Sequence, residues 1–140
     1  MTTTKIEWCD KSWNPIRGCS MISSGCEHCY AMRVAHRFSG TGQAYDGLTR
    51  PSARGHVWSG DVRFIPETLP EPMRWKKPCR VFVCSMSDLF HGSVMDRHIA
   101  AIFSVMANCQ RHTFVVLTKR PERMRMWVEE QMRSARELCD

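Results

Sequence analysis

No long apolar run occurs in this sequence. A membrane-spanning helix needs ~18 consecutive apolar residues, and the most apolar stretch, residues 99–107, predicts a buried helix instead. The N-terminal residues also lack the apolar segment of a secretory signal peptide. We therefore expect a cytoplasmic protein that has no contact with a membrane.

Internal repeats and low-complexity tracts are missing as well. Hydrophobic residues make up 43% of the 140 residues and charged residues 24%, as is ordinary for a globular protein. This length suits a single domain over residues 1–140. Within it, residues 39–60 are rich in Gly, Ser and Thr and predict a long mobile loop.

The chain is basic, with a net charge of +6 and an isoelectric point near 9.1. Its Lys and Arg residues are scattered, apart from short groups at 74–77 and 119–120. A basic balance permits contact with nucleic acid or another polyanion but does not require it. Nucleic acid is therefore one candidate partner, and a solvated basic surface is the simpler interpretation.

Eight cysteines are present, which is many for a chain of this length without a signal peptide. In that context, metal or redox chemistry is favoured over a framework of disulfides. Four of the cysteines are isolated in the sequence and predict buried, inert thiols: Cys9, Cys79, Cys109 and Cys139.

The second half of the chain predicts alternating strands and helices. Residues 80–84 and 113–117 are continuous apolar runs, as buried parallel strands are, and apolar residues follow each at helical spacing. This order predicts an α/β fold with a parallel sheet. Two or three βα units leave strand edges bare, so further strands or a second chain would have to complete the sheet. In the first half, a helix is predicted with an apolar edge of Tyr30, Val34 and Phe38.

The strongest chemical signal is the spacing Cys19-x6-Cys26-x2-Cys29. One loop and the first turn of the helix predicted from Glu27 can bring these three thiolates together. Iron–sulfur clusters are normally held by four cysteines, so a three-cysteine loop leaves one iron open to a non-protein ligand. The helix N-terminus would favour the negative charge of such a cluster.

Structural zinc is an equally good interpretation of the spacing alone. Zinc is held by four closed ligands, and the fourth could come from Cys9, His28 or His36. Reduced thiols that bind nothing are a third interpretation. The spacing leaves all three open.

Recognisable sequence motifs surround the cysteines and continue through the second half, so that they span nearly the whole chain. They include Ile6-Glu7-Trp8, Trp13-Asn14-Pro15, Gly18-Cys19, Gly25-Cys26-Glu27-His28-Cys29-Tyr30-Ala31, Ser85-Met86-Ser87-Asp88-Leu89-Phe90-His91 and Thr118-Lys119-Arg120-Pro121-Glu122-Arg123-Met124. Together they closely resemble an uncharacterised phage and bacterial family with a radical-SAM-like cysteine loop.

The resemblance implies a partial (βα) barrel of radical-SAM type. Cys19, Cys26 and Cys29 would ligate a 4Fe–4S cluster, and S-adenosylmethionine would bind the open iron. Reductive cleavage of this cofactor would produce a radical that modifies an unknown substrate, for which a nucleic-acid base is our guess. In such enzymes the cofactor performs the chemistry and the protein positions it.

Three polar residues follow the strand that ends near Cys84, at the edge where the sites of βα barrels gather. By analogy with the radical-SAM fold, Ser85, Ser87 and Asp88 could hold the amino group of S-adenosylmethionine. A turn or helix cap is the structural alternative for them.

Lys119 and Arg120 occupy the same place after the next strand. They are the candidate catalytic residues, because a cationic pair there could contact a carboxylate or phosphate. An exposed loop is the alternative. Tyr30 and His91 are further candidates for contact with the cofactor.

The sequence departs from the family pattern at Cys84, where asparagine is usual, and at Cys9, where threonine is usual. It also ends at Asp140, while relatives continue through further βα units, so we expect the N-terminal half of a barrel. The sequence leaves open whether the chain is catalytically active. The rival hypothesis is a non-catalytic module of phage origin, in which zinc or a cluster staples the loop and the surface binds a host protein or nucleic acid.

Overall fold

A computed structural model describes residues 5–138, so Cys139 lies outside the described part of the chain. The strands are β1 (Lys11–Trp13), β2 (Ile16–Arg17), β3 (Thr49–Ser52), β4 (Gly55–Trp58), β5 (Arg63–Phe64), β6 (Arg80–Val83) and β7 (Thr113–Val116). The helices are α1 (Tyr30–Arg37), α2 (Glu71–Arg74), α3 (Asp96–Asn108) and α4 (Pro121–Glu137), with short 3-10 turns at Ser24–Cys26 and Pro66–Thr68.

A parallel sheet of three strands in the order β1-β6-β7 organises the chain. Helices α1, α3 and α4 follow these strands in the sequence, so the predicted α/β class and the parallel sheet are confirmed. Two small antiparallel pairs, β2-β5 and β3-β4, accompany the sheet. Three strands do not close into a barrel, and residues 5–138 contain no barrel.

One face of the sheet packs against α3 and α4 to form the main core. Trp13, Val81 and Val83 are fully buried there against Ile99 and Ile102 of α3. Burial of side chains of this size contributes roughly 1.5–3 kcal/mol each. The helical spacing of apolar residues in α3 therefore predicted the packed face correctly. No helix between residues 5 and 138 has the length and apolarity needed to cross a bilayer.

Phe82 points to the opposite face of the sheet, because side chains alternate along a strand. The ring of Trp8 packs on it, with ring centroids 4.7 Å apart. Leu117, just beyond β7, is 55% exposed. This second face carries no α3 or α4 packing, and it forms part of a cavity described below.

Helix α1 starts at Tyr30 rather than at Glu27 as predicted, because Cys29 has an extended conformation and acts as its N-cap. The predicted apolar edge is also wrong, since Phe38 is 51% exposed and Tyr30 is 43% exposed. The buried residues of α1 are Ala31, Met32 and Ala35. Small residues on this face allow close packing against β3 and β4, which the spacing of larger residues did not reveal.

The expected long loop at 39–60 is wrong for its second half, where β3 and β4 form a hairpin. Trp58 at the end of β4 is buried, and Leu48 just before β3 is 1% exposed. Both belong to a small second core with Met32 and Ala35 of α1. Strand β3 could not be predicted from the sequence because it contains Pro51 and Ser52, and proline and serine are poor strand residues.

Gly18 makes a close backbone contact beside the sheet. It bridges to Ser87 in parallel fashion, has φ of +90°, and a Cβ there would lie 2.2 Å from the carbonyl oxygen of Asp61. Only glycine satisfies both the left-handed conformation and this approach.

Gly18→Ala is therefore expected to destabilise the protein more than its backbone conformation alone requires. Gly60→Ala is the matched control, because Gly60 has φ of +98° and a Cβ there meets none of the described atoms within 4 Å. In urea unfolding, the control should lose about 1 kcal/mol. Gly18→Ala should lose about 1–3 kcal/mol more. Equal losses would show that the contact with Asp61 imposes no constraint.

Candidate functional site

A cavity of about 400 Å³ opens at the carboxyl edge of the parallel sheet. Its wall contains every predicted site residue except His91: Cys19, Cys26, Cys29, Tyr30, Ser85, Ser87, Asp88, Lys119 and Arg120. The loops after β6 and β7 meet at this edge because parallel strands end there together, as in other α/β proteins. The cysteine loop reaches it through the bridge between Gly18 and Ser87.

Asp88 ties the loop after β6 to the loop after β7. Its Oδ1 accepts hydrogen bonds from the Phe90 N–H (2.9 Å) and the Thr118 hydroxyl (2.7 Å). Its Oδ2 accepts from the Lys119 N–H (3.0 Å) and the Arg120 guanidinium (2.9 Å). A carboxylate offers about four acceptor sites, so this geometry favours a positioning role for Asp88 over the predicted cofactor contact.

The hydroxyls of Ser85 and Ser87 each donate a hydrogen bond to another group of the protein. Ser85 donates to Oδ1 of Asn14 at 3.1 Å, and Ser87 donates to the carbonyl of Ile16 at 2.9 Å. A hydroxyl oxygen has two lone pairs, so both remain able to accept from a donor in the cavity. An ammonium group, as predicted for S-adenosylmethionine, is a donor of this kind.

The two predicted catalytic cations contact thiols. Nζ of Lys119 lies 3.4 Å from Sγ of Cys26, and a guanidinium nitrogen of Arg120 lies 3.9 Å from Sγ of Cys19. Gly25 leaves room for the lysine, because a Cβ there would lie 3.2 Å from Nζ. Lys119 is nevertheless exposed, whereas Arg120 is half-buried, so the exposed-loop alternative is weakened only for the arginine.

Cys26 is the thiol most readily ionised by its surroundings. Burial raises the pKa of the Cys26 thiol, but hydrogen bonds from the backbone at Ile22 and Ser23, from the Ser23 hydroxyl and from Lys119 outweigh burial. The pKa therefore falls from 9.0 to about 7. A lowered pKa makes a cysteine a better metal ligand and nucleophile at neutral pH.

Two other thiols in the cavity are held in the protonated form. Burial raises the pKa of Cys19 even though the charge of Arg120 opposes it. Burial also raises the pKa of Cys84 to about 12. Cys84 has φ of +58°, a conformation that asparagine adopts more easily than cysteine. Cys84 is thus a fourth cavity thiol that we did not predict as a ligand.

His91 does not line the cavity but contacts Ser20, which does. Its Nδ1 accepts from the Ser93 N–H at 3.1 Å, so a neutral ring carries its proton on Nε2 and donates to Oγ of Ser20 at 2.8 Å. Burial lowers the pKa of His91, which favours this neutral ring. The predicted direct contact of His91 with a cofactor does not match this placement.

Ser20 is a functional candidate that the sequence did not reveal. Its oxygen accepts from His91 and also from a guanidinium nitrogen of Arg120 at 3.0 Å. Two accepted bonds fill its lone pairs and leave its proton to donate elsewhere. Since Ser20 lines the cavity, that proton can serve an acceptor bound there. Only its place next to Cys19 could have signalled this role.

Other wall residues were interpreted as core and were missed for that reason. Phe82 and Leu117 belong to predicted strands, and Trp58 to the predicted loop, yet all three line the cavity. They make part of the cavity wall apolar.

The three loop cysteines share the cavity without converging on one point. No three His, Cys, Asp or Glu side chains between residues 5 and 138 are placed to hold a single metal ion. The proposed fourth zinc ligands also lie outside the cavity wall. His36 instead stacks on His56, with ring centroids 3.4 Å apart.

Asp88→Asn is expected to lower the free energy of unfolding by about 3 kcal/mol, because it leaves Arg120 without its mostly buried partner. The two side chains are 8% and 14% exposed. Asp96→Asn is the control, since the Asp96 carboxylate is 76% exposed in its pair with Arg123; it should lose less than about 1 kcal/mol. Similar losses in urea unfolding would contradict the positioning role.

Alkylation of Cys26 by iodoacetamide in reduced, metal-free protein should rise with pH around a midpoint near 7, because the thiolate is the reacting form. Lys119→Met removes the neighbouring ammonium and should move the midpoint upward, toward 9.0. Lys76→Met, outside the cavity, should leave it unchanged. Peptide mass spectrometry measures the rate at Cys26. A wild-type midpoint near 9.0 would contradict the assigned environment.

Comparison with known proteins gives one match. A family model described as "Protein of unknown function (DUF5131)" matches residues 3–138. No curated protein and no solved structure matches the chain. The matched residues cover nearly the whole sequence, and they include the cysteine loop and both loops that follow β6 and β7. The chain therefore belongs to this family of proteins of unknown function, DUF5131.

Proposed function

We propose that this protein binds a 4Fe–4S cluster through Cys19, Cys26 and Cys29 and acts with S-adenosylmethionine as a radical-SAM-type enzyme. The observation that carries the proposal is the shared cavity: three thiols of one loop line it at the carboxyl edge of a parallel sheet. Catalytic groups of βα proteins gather at this edge.

The spread of the thiols around the cavity suits a cluster. In a four-iron cluster each cysteine binds a separate iron, so the ligands surround a volume. A structural zinc ion instead takes four ligands at ~2.0–2.3 Å from one point. Cys19, Cys26 and Cys29 line one cavity, as the ligands of a cluster would.

Charge supports the same proposal. Thiolates and a cluster bring negative charge into a partly buried site, and an opposite charge nearby lowers that cost. Lys119 contacts Cys26, and Arg120 approaches Cys19. The ion pair with Asp88 holds Arg120 in this position.

The remaining wall groups suit the amino-acid part of S-adenosylmethionine. Ser85 and Ser87 can accept from its ammonium group, while Ser20 and Arg120 can donate to its carboxylate. The apolar wall residues Phe82, Trp58 and Leu117 exclude water from the same space. When bound, the cluster would supply the electron for reductive cleavage of this cofactor.

The architecture is compatible with the first part of a (βα) barrel. Neighbouring strands β1, β6 and β7 are parallel, lie in chain order and are each followed by a helix, as in βα barrels. Strand β7 is an edge within the described residues. Completion of the sheet by a second chain stays a prediction.

Protein purified without oxygen should contain ~4 iron and ~4 sulfide per chain and show a broad visible absorption that dithionite bleaches. Cys26→Ala should lose both iron and sulfide because it removes a ligand. One zinc per chain without sulfide would overturn the cluster and support the non-catalytic interaction module.

Cys84→Ala is the matched variant, because Cys84 lines the same cavity with a pKa raised to about 12 by burial. It should keep its iron and sulfide. If Cys84→Ala loses them as completely as Cys26→Ala does, the cluster has four thiolate ligands. In that case no iron is open to S-adenosylmethionine, and the radical-SAM proposal fails.

A further inference from the structure

A second cavity, of about 430 Å³, lies beside the first. Asn14 connects the two: it lines the second cavity, and its Oδ1 accepts from the Ser85 hydroxyl and from the Met86 N–H at 3.2 Å. Ser85 in turn lines the first cavity. The second cavity contains none of the cysteines, and its size is within the usual range for small-molecule sites.

Opposite charges face this second cavity without pairing. Arg17 and Glu71 are both half-buried and both line it. Within residues 5–138, neither forms an ion pair with the other or with any further side chain; the guanidinium of Arg17 has only the Tyr45 ring, 5.7 Å away. Charges taken partly out of water are costly unless they are matched. The arrangement therefore suits a ligand with an anionic end for Arg17 and a donor end for Glu71.

Two further features narrow the class of ligand. Arg74 is exposed but also lines the cavity and adds a second guanidinium, and guanidinium groups match phosphate geometry. Trp75 and Tyr45 supply aromatic walls, and Lys11 lies 5.1 Å from the Trp75 ring centroid, which adds positive charge.

We propose that the second cavity binds a nucleotide unit. Its phosphate would lie on Arg17 and Arg74, its sugar hydroxyls would donate to Glu71, and its base would lie against the aromatic wall. Carboxylates hold ribose hydroxyls in this way in dinucleotide sites, and aromatic side chains are the usual platforms for bases.

The inference stands on the second cavity alone and does not need the cluster. If both hold, the nucleotide is the substrate class and Asn14 is the wall between substrate and cofactor. The same chemistry is offered by a free nucleotide and by one residue of a single-stranded nucleic acid, and the test separates the two.

Calorimetric titration of the full, metal-free chain with adenosine monophosphate tests the proposal. We expect saturable binding that Arg17→Gln weakens at least about tenfold, since it removes a charged hydrogen bond to phosphate. Arg136→Gln, an exposed arginine of α4 outside this cavity, should bind like the wild type. Equal weakening by both variants would overturn the site. Unchanged thermal unfolding of Arg17→Gln keeps its result interpretable.

Glu71→Gln should change the affinity for two probes in different ways. It should weaken binding of adenosine monophosphate, because the amide offers the sugar hydroxyls one neutral acceptor oxygen in place of a charged carboxylate, but leave inorganic phosphate unchanged or bound more tightly. Loss of both in parallel would contradict the assigned roles. Saturable binding of methionine without binding of adenosine monophosphate would replace the nucleotide with an amino acid and overturn the class.

A short single-stranded oligonucleotide identifies the source of the nucleotide unit. Tighter binding than the monophosphate, with a steep loss as salt rises, would assign the site to nucleic acid. Equal or weaker binding would assign it to a free nucleotide. Failure of every nucleotide probe overturns this inference and leaves the iron and sulfide measurements on the first cavity unaffected.

Discussion

The carboxylate of Asp88 is the interaction on which the candidate site depends. It joins the loop after β6 to residues 118–120 after β7 through three hydrogen bonds. It also accepts a fourth from the Phe90 N–H within its own loop. A largely buried carboxylate is tolerated only when its oxygens are satisfied and its charge is matched. Those requirements fix where Arg120 points, and therefore which cation stands beside Cys19. Burial and the charge of Asp88 itself raise the pKa of Cys19, yet Asp88 also positions the cation that lowers it.

The thiols that line the first cavity differ in how readily they lose a proton. Near neutral pH, Cys26 is partly ionised, whereas burial keeps Cys19 and Cys84 protonated. Only the thiolate binds metal, so under the proposed function Cys19 would have to release its proton on binding the cluster. A cation already held 3.9 Å from that sulfur reduces the cost of the released charge. The site is in this sense prepared for an anionic occupant although burial alone would oppose one.

The sequence predicted those parts of the fold that periodicity and strand order determine. Uninterrupted apolar runs at 80–84 and 113–117 correctly indicated buried parallel strands, and the rule that sites lie beyond such strands placed most of the wall residues. The hairpin within 49–58 was missed, because its stability comes from packing Trp58 on a helix and not from a local strand pattern. For a related reason Ser20 was not predicted and His91 was predicted to contact the cofactor directly: their placement depends on a hydrogen bond between residues far apart in the chain.

Asn14 links the two cavities in a way that neither shows by itself. It stands just beyond β1, at the carboxyl edge of the sheet, and its amide oxygen holds both the Ser85 hydroxyl and the Met86 N–H. Ser85 therefore keeps its orientation toward the first cavity only while Asn14 keeps its own. A ligand that moves the Asn14 amide from the second cavity would break or lengthen those two bonds and turn the Ser85 hydroxyl.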